Sequence, residues 1–224
     1  MAFAPRSYDE CEDLPRTFGE PLLCEIIDCM LADEANNFSN IETVFLDRDG
    51  VINRNLADHY IRRWEEIELL PGVEHAIALL NRSGRKVIVV SNQRGVALGY
   101  CSETDLLALH ERLQQHLSAH GARLDAIYYC PHDNGQCNCR KPLPGMFERA
   151  FRDFPGTHAG NSVMLGDSLC DVEAGARLGM RTIFIADATQ PPKPGAAQAE
   201  QLASASAASL LHGVQLYLCP ELPK

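Results

Sequence analysis

Asp47 and Asp49 stand two residues apart at the end of the apolar run Val44-Phe45-Leu46, with Arg48 between them and Gly50 directly after. In a parallel α/β sheet, ligands bind beyond the carboxyl ends of strands, so both acids would lie where chemistry is done. Two carboxylates this close repel each other unless a cation sits between them or one keeps its proton. The first remedy makes a metal site, and the second sets a nucleophile beside a proton donor. The plain structural alternative is a solvated acidic turn, because Asp and Gly are common turn residues.

Other chemically equipped residues also follow apolar runs. Val87 to Val90 leads into Ser91-Asn92-Gln93-Arg94-Gly95. The hydroxyl, amides and backbone N–H groups there could cradle phosphate oxygens, or simply turn the chain. Arg140-Lys141-Pro142 offers two cations before a helix start, or a solvated basic pair. Val163-Met164-Leu165 ends in Gly166-Asp167-Ser168, with Asp171 one helical turn later. A plain N-cap would also account for Asp167. Cys130, His132, Cys137 and Cys139 fall within ten residues. They form a Cys₃His set suited to tetrahedral Zn²⁺, and four protein ligands leave no open position, which makes the metal structural. A redox Cys-x-Cys pair is the alternative, but it leaves His132 without a task. His110, His116 and His120 share one expected helix at spacings of six and four, and read as a helix face rather than a second metal site.

The elements that must position these groups alternate from Thr43 onward. Strands are expected at 43–47, 86–91, 126–129, 162–165 and 181–185. Pro71-Gly72-Val73 opens a helix with Pro in its first turn, and Ser102-Glu103-Thr104-Asp105 resembles a capping box ahead of Leu106, Leu109, Leu113 and Leu117. Further helices run from Pro144 to about Phe151 and from Asp171 to Leu178, the latter closed by Gly179. The pattern predicts an α/β fold: a doubly wound, Rossmann-like, mostly parallel sheet with a minimal cap and a zinc-binding loop. Residues 1–40 form an N-terminal extension without an assigned role, in which Leu22 to Leu31 could make a short amphipathic helix. Residues 41–187 form the main domain. Residues 188–224 read as a linker, one weak helix and a segment from Leu210 to Leu218 that packs back on the same domain.

Composition narrows the partners. The 224-residue chain is 46% hydrophobic and carries a net charge of −10, which argues against nucleic acid or an anionic membrane surface. A phosphate site here must therefore be made locally positive by a metal, a few cations or helix N-termini. No apolar run approaches the roughly 18 residues of a membrane span, and Met1 to Arg16 lacks a secretion signal, so a cytoplasmic protein is expected. Clustered cysteines in that compartment point to metal rather than disulfides. A monomer is favoured over an oligomer.

Taken in order, Asp-x-Asp-Gly, a hydroxyl after the second strand, a lysine and Gly-Asp-Ser-x-x-Asp resemble the haloacid dehalogenase superfamily of phosphotransferases over residues 43 to 186. The resemblance implies a Mg²⁺-dependent phosphatase with Asp47 as nucleophile, through an aspartyl-phosphate, and Asp49 as general acid and then base. It implies that Asp47, the backbone carbonyl of Asp49 and Asp167 hold Mg²⁺, and that Ser91 and Lys141 hold the phosphoryl oxygens. Asp171 would orient Lys141 or the metal shell. The zinc loop running into Arg140-Lys141-Pro142 is similar to the branch that contains heptose bisphosphate and histidinol-phosphate phosphatases. There Arg140 would set specificity, with Asn92 and Gln93 beside it, and Arg62 and Arg63 either touch substrate or make surface ion pairs. The implied partner is a small phosphorylated substrate, a heptose 1,7-bisphosphate ahead of histidinol phosphate. A catalytically silent metal-binding interaction protein is the alternative of another class.

Overall fold

The computed structural model describes residues 37–56 and 60–220. Most of the N-terminal extension, with the helix expected near Leu22 to Leu31, lies outside the described residues. Six parallel strands form one sheet: β1 (Thr43–Leu46), β2 (Lys86–Asn92), β3 (Ala126–Cys130), β4 (Ser162–Gly166), β5 (Arg181–Ile185) and β6 (Ala205–Ala207). Their order is β3-β2-β1-β4-β5-β6. Between them run α1 (Val73–Arg82), the short α2 (Arg94–Ala97), α3 (Glu103–Ala119), α4 (Gly145–Asp153), α5 (Leu169–Leu178) and α6 (Ala196–Leu202). A last turn, α7 (Leu210–Gly213), follows β6.

An all-parallel sheet must be covered on both faces, and the strand residues show it by alternation. Val44, Leu46, Val87, Val89, Val163 and Leu165 enter one core, with Ile77 and Leu80 of α1, Leu113 and Leu117 of α3, and Leu210 to Leu218. Phe45, Ile88, Val90 and Met164 point the other way, against Phe147 and Ala150 of α4 and Ala174 of α5. The Ser102–Asp105 capping box opens α3, and left-handed Gly179 (φ 75°) closes α5. Pro71 lies just before the N-cap rather than in the first turn: Gly72 is the N-cap of α1 and Val73 its first residue. A Cβ at Gly72 would lie 2.7 Å from Leu211 Cδ2, so the tight approach of the C-terminal segment selects glycine there.

The weak helix expected in the Ala/Ser-rich stretch ends at Leu202, and Ala205–Ala207 becomes edge strand β6, paired with β5. Small side chains carry little strand signal, but here they leave room for Gly213, where an added Cβ would lie 3.2 Å from Ala207 Cβ. Among the described residues no helix is long and apolar enough to cross a membrane.

Candidate active site

β1 and β4 are neighbours at the centre of the sheet, where the strand order reverses and a crevice opens beyond the strand ends. The Asp47 N–H donates to Leu165 O (3.0 Å), which carries the β1–β4 pairing one residue further and fixes Asp47 at the crevice floor. Asp167 follows β4 directly. Ser168, not Asp167, is the N-cap of α5, with Asp171 completing the capping box, so the Asp167 carboxylate is free for the crevice. Gly50 (φ +98°) lets the loop after β1 close over it: a Cβ there would fall 1.9 Å from Asp167 Oδ2.

Lys141 is the electrostatic hub. Its ammonium donates to Val90 O (2.6 Å) and pairs with Asp47 Oδ1 (2.9 Å) and Asp171 Oδ1 (2.6 Å). Burial would drive a lone ammonium toward neutrality, but Asp171 and Asp47 outweigh it and hold Lys141 charged, far above its ordinary range. Asn92 positions it through a two-point clamp, its Oδ1 accepting from Lys141 N (2.9 Å) and its Nδ2 donating to Lys141 O (3.1 Å). The Asn92 side chain, expected on substrate, meets the lysine's backbone and also lines the cavity described below.

Asp49 lies in a second buried network. Its carboxylate accepts from Arg48 Nε (3.1 Å) and Nη2 (2.8 Å), Asn53 Nδ2 (2.9 Å) and Gln93 Nε2 (2.8 Å). Burial raises its proton affinity, but the charge of Arg48 and these hydrogen bonds prevail and hold Asp49 below the ordinary carboxylate range. Arg48 is 1% exposed and also meets His110 Nε2 (3.2 Å). Burial, reinforced by Arg48, pushes His110 down to about 3, so its ring is neutral. Gln93 Nε2 also donates to Ser91 Oγ (2.7 Å), leaving the Ser91 O–H free to donate toward the cavity it lines.

The carboxylates on the other side of the crevice crowd one another. Burial raises Asp47 despite Lys141, and burial with repulsion from Asp47 and Asp171 pushes Asp167 up to about 7 against the pull of Lys193. Such a cluster calls for a cation. Lys193 supplies one, its Nζ lying 2.8 Å from Asp49 O and 2.7 Å from Asp167 Oδ1. Two carboxylates and a carbonyl are hard oxygen donors, and a positively charged nitrogen already rests on two of them, so the set fits a divalent cation of the Mg²⁺ kind.

Asp47, Asp49, Ser91, Asn92, Gln93, Lys141 and Lys193 line a cavity of about 450 Å³ together with Arg140, Cys170, Tyr60 and Asn55. The Nη1 of Arg140 is buried with no hydrogen-bond partner among the described residues, so this guanidinium has a donor to spare. Arg62 and Arg63 instead pair with Glu66 at the surface and are not among the residues lining this cavity.

Directly before Arg140, the four expected metal ligands converge. Cys137 Sγ lies 3.5 Å from Cys130 Sγ and 3.2 Å from Cys139 Sγ, and His132 Nδ1 lies 3.7 Å and 3.4 Å from the Cys130 and Cys139 sulfurs. The edges of a Zn²⁺ tetrahedron with ordinary bond lengths are about 3.5–3.8 Å, so the sulfurs and nitrogen already outline one. Arg94 pairs with Asp133 of the same loop (2.5 Å), tying it to α2.

Sequence reasoning passed over Arg48, Asn53, Cys170 and Lys193, and read His110 only as part of a helix face with His116 and His120. Arg48 between two acids reads as a solvated ion pair, and nothing local distinguishes a buried one. A spacing of six placed His110 on another side of α3 from His116, which faces Glu74 (3.1 Å). Lys193 stands 144 residues from Asp49, in a proline-rich stretch that reads as linker.

A family model described as HAD-hydrolase-like matches residues 138–210. The D-glycero-alpha-D-manno-heptose-1,7-bisphosphate 7-phosphatase of Mycobacterium bovis is 41% identical over 58% of this chain and 69% of its own length. The D-glycero-beta-D-manno-heptose-1,7-bisphosphate 7-phosphatase of Vibrio cholerae is 39% identical over 72% of this chain and 88% of its own. Among solved structures, the D,D-heptose 1,7-bisphosphate phosphatase of B. bronchiseptica, complexed with magnesium and phosphate, superposes with a TM-score of 0.67. It is 29% identical and the match covers 78% of this chain and 97% of that one.

Proposed function

The chain belongs to the HAD-like family of heptose bisphosphate phosphatases, and from that premise we propose that it hydrolyses the 7-phosphate of a D-glycero-D-manno-heptose 1,7-bisphosphate through an aspartyl-phosphate on Asp47. The observation that carries this reading is the meeting of Asp47, the Asp49 carbonyl and Asp167 around one cation position beside Lys141. Those three would hold Mg²⁺, which when bound offsets the negative charge of nucleophile and phosphoryl group. An Asp47 oxygen forms the bond to phosphorus while the bond to the sugar oxygen breaks, and Asp49 protonates that oxygen. Asp49 then takes a proton from water, whose oxygen attacks phosphorus and frees Asp47. The resting network that keeps Asp49 ionised suits the second half. For the first half, an incoming phosphate anion raises its proton affinity by like-charge repulsion. Lys141 and the Ser91 hydroxyl stabilise charge on the phosphoryl oxygens.

Arg140, which lines the cavity and has one donor without a partner among the described residues, suits the second phosphate or the sugar oxygens. Zn²⁺ held by Cys130, His132, Cys137 and Cys139 would stiffen the loop that presents Arg140 and Lys141, and the reduced thiols it requires suit a reducing compartment such as the cytoplasm. Phosphate release with Mg²⁺ is to be compared for both heptose bisphosphate anomers, fructose 1,6-bisphosphate and histidinol phosphate. A preference of about 100-fold in kcat/KM for one heptose anomer, about 2.7 kcal/mol, is expected. Preference for histidinol phosphate would overturn the substrate assignment. Activity persisting in Asp47→Asn would overturn the nucleophile.

A further inference from the structure

Lys193 arrives at this site from the segment between β5 and α6, and its ammonium rests on two of the oxygens assigned above to the metal: Asp49 O at 2.8 Å and Asp167 Oδ1 at 2.7 Å. We propose that Lys193 is a tethered cation that holds the metal position in the metal-free enzyme, so that Mg²⁺ binds by displacing its ammonium into the adjoining cavity. This rests on the metal reading of Asp47, Asp49 and Asp167 given above.

Three observations carry it. The first is space. Mg²⁺ bonds oxygen at about 2.1 Å and demands a regular octahedron, which an ammonium within hydrogen-bond reach of the same two oxygens obstructs. The second is charge. Asp47, Asp167 and Asp171 face the ammonium groups of Lys141 and Lys193, while Asp49 is paired off with Arg48. With all three carboxylates ionised, three negative charges against two positive leave the cluster one charge short. Exchanging the Lys193 ammonium for a divalent ion neutralises it and frees one positive charge on the wall of the cavity that receives an anionic substrate.

The third is the tether. Gln190 accepts from Asn55 N (2.9 Å) and donates to Gly50 O (3.2 Å), and Arg54 Nη1 donates to Thr189 O (3.3 Å). Pro191, Pro192 and Pro194 stiffen the backbone around the lysine. The strap is therefore held to the loop after β1 whichever cation is present, and only the flexible lysine side chain has to swing. Its four-carbon stem is long enough to leave Asp167 while the backbone stays docked.

The test is titration of the full-length, zinc-loaded protein with Mg²⁺ in a calorimeter, without substrate, for wild type and Lys193→Met. Removing the competing ammonium is expected to tighten Mg²⁺ binding by about tenfold or more. The melting temperature without Mg²⁺ should fall in Lys193→Met, and saturating Mg²⁺ should restore it. Lys193→Gln should behave in the same way, which separates loss of charge from loss of packing. Equal or weaker Mg²⁺ binding by both variants, with normal binding by wild type, would overturn this inference alone. Absence of Mg²⁺ binding by wild type and variants alike would overturn the metal reading and this inference with it.

Discussion

Replacing Lys141 by Met would remove the ammonium and keep the bulk of the stem. Two buried carboxylates then lose their partner: the Lys141 and Asp171 side chains are 1% and 0% exposed, and Asp47 is 10% exposed. Val90 O also loses the donor that reaches it at 2.6 Å. Breaking a buried pair from one side costs about 3–5 kcal/mol, because the remaining charge has neither water nor counter-ion. In a domain of this size each kcal/mol shifts the melting temperature by roughly 2–4 °C, so Lys141→Met should melt about 6–20 °C lower. Calorimetry on the purified variant measures the shift. Adding Asp171→Asn takes away one stranded charge, so the double variant should be more stable than the two single effects added together, a coupling that a double-mutant cycle reads directly. Phosphate release should vanish in Lys141→Met because Asp47 and the phosphoryl oxygens lose their shared cation. A variant that melts within 2 °C or so of wild type, or additive effects in the cycle, would refute the account of Lys141 as the hub.

Two further predictions concern groups beside the reaction centre. Metal analysis of protein purified without chelator should find about one zinc per chain, lost in Cys137→Ser together with thermal stability, while a wild type free of zinc would refute the structural-metal reading. His110, held to about 3 by burial and Arg48, is neutral in the folded protein and titrates near 6.5 when unfolded. Its contribution is therefore fully present above pH 6.5 and is lost as pH falls toward 3, at up to about 1.4 kcal/mol per pH unit. Urea unfolding between pH 7 and pH 4 should show a shallower loss for His110→Gln than for wild type, and parallel curves would refute it.

What could be read from the chain was local. Strand-end acids after Leu46 and Leu165 are adjacent to their strands in sequence, so apolar runs that stop at a carboxylate mark the crevice without knowledge of the fold. The candidate ligands Cys130, His132, Cys137 and Cys139 lie within ten residues, and a loop that short has few ways to avoid bringing them together. The Ser102–Asp105 cap and Gly179 stop are likewise set by neighbouring backbone groups.

Tertiary structure decided the rest, wherever a side chain's role depends on what covers it. Arg48 is buried because α3 brings His110 over it, and Gln93 closes the same network. Asn92 clamps the lysine's backbone because β2 and β3 pair side by side, so that the chain leaving β3 brings the backbone of Lys141 against its amide. Ser168 took the helix cap and released Asp167, a choice between adjacent residues that composition does not reveal. Lys193 reaches Asp49 O and Asp167 only after the chain has crossed β5, since charge attracts through space and takes no account of distance along the sequence.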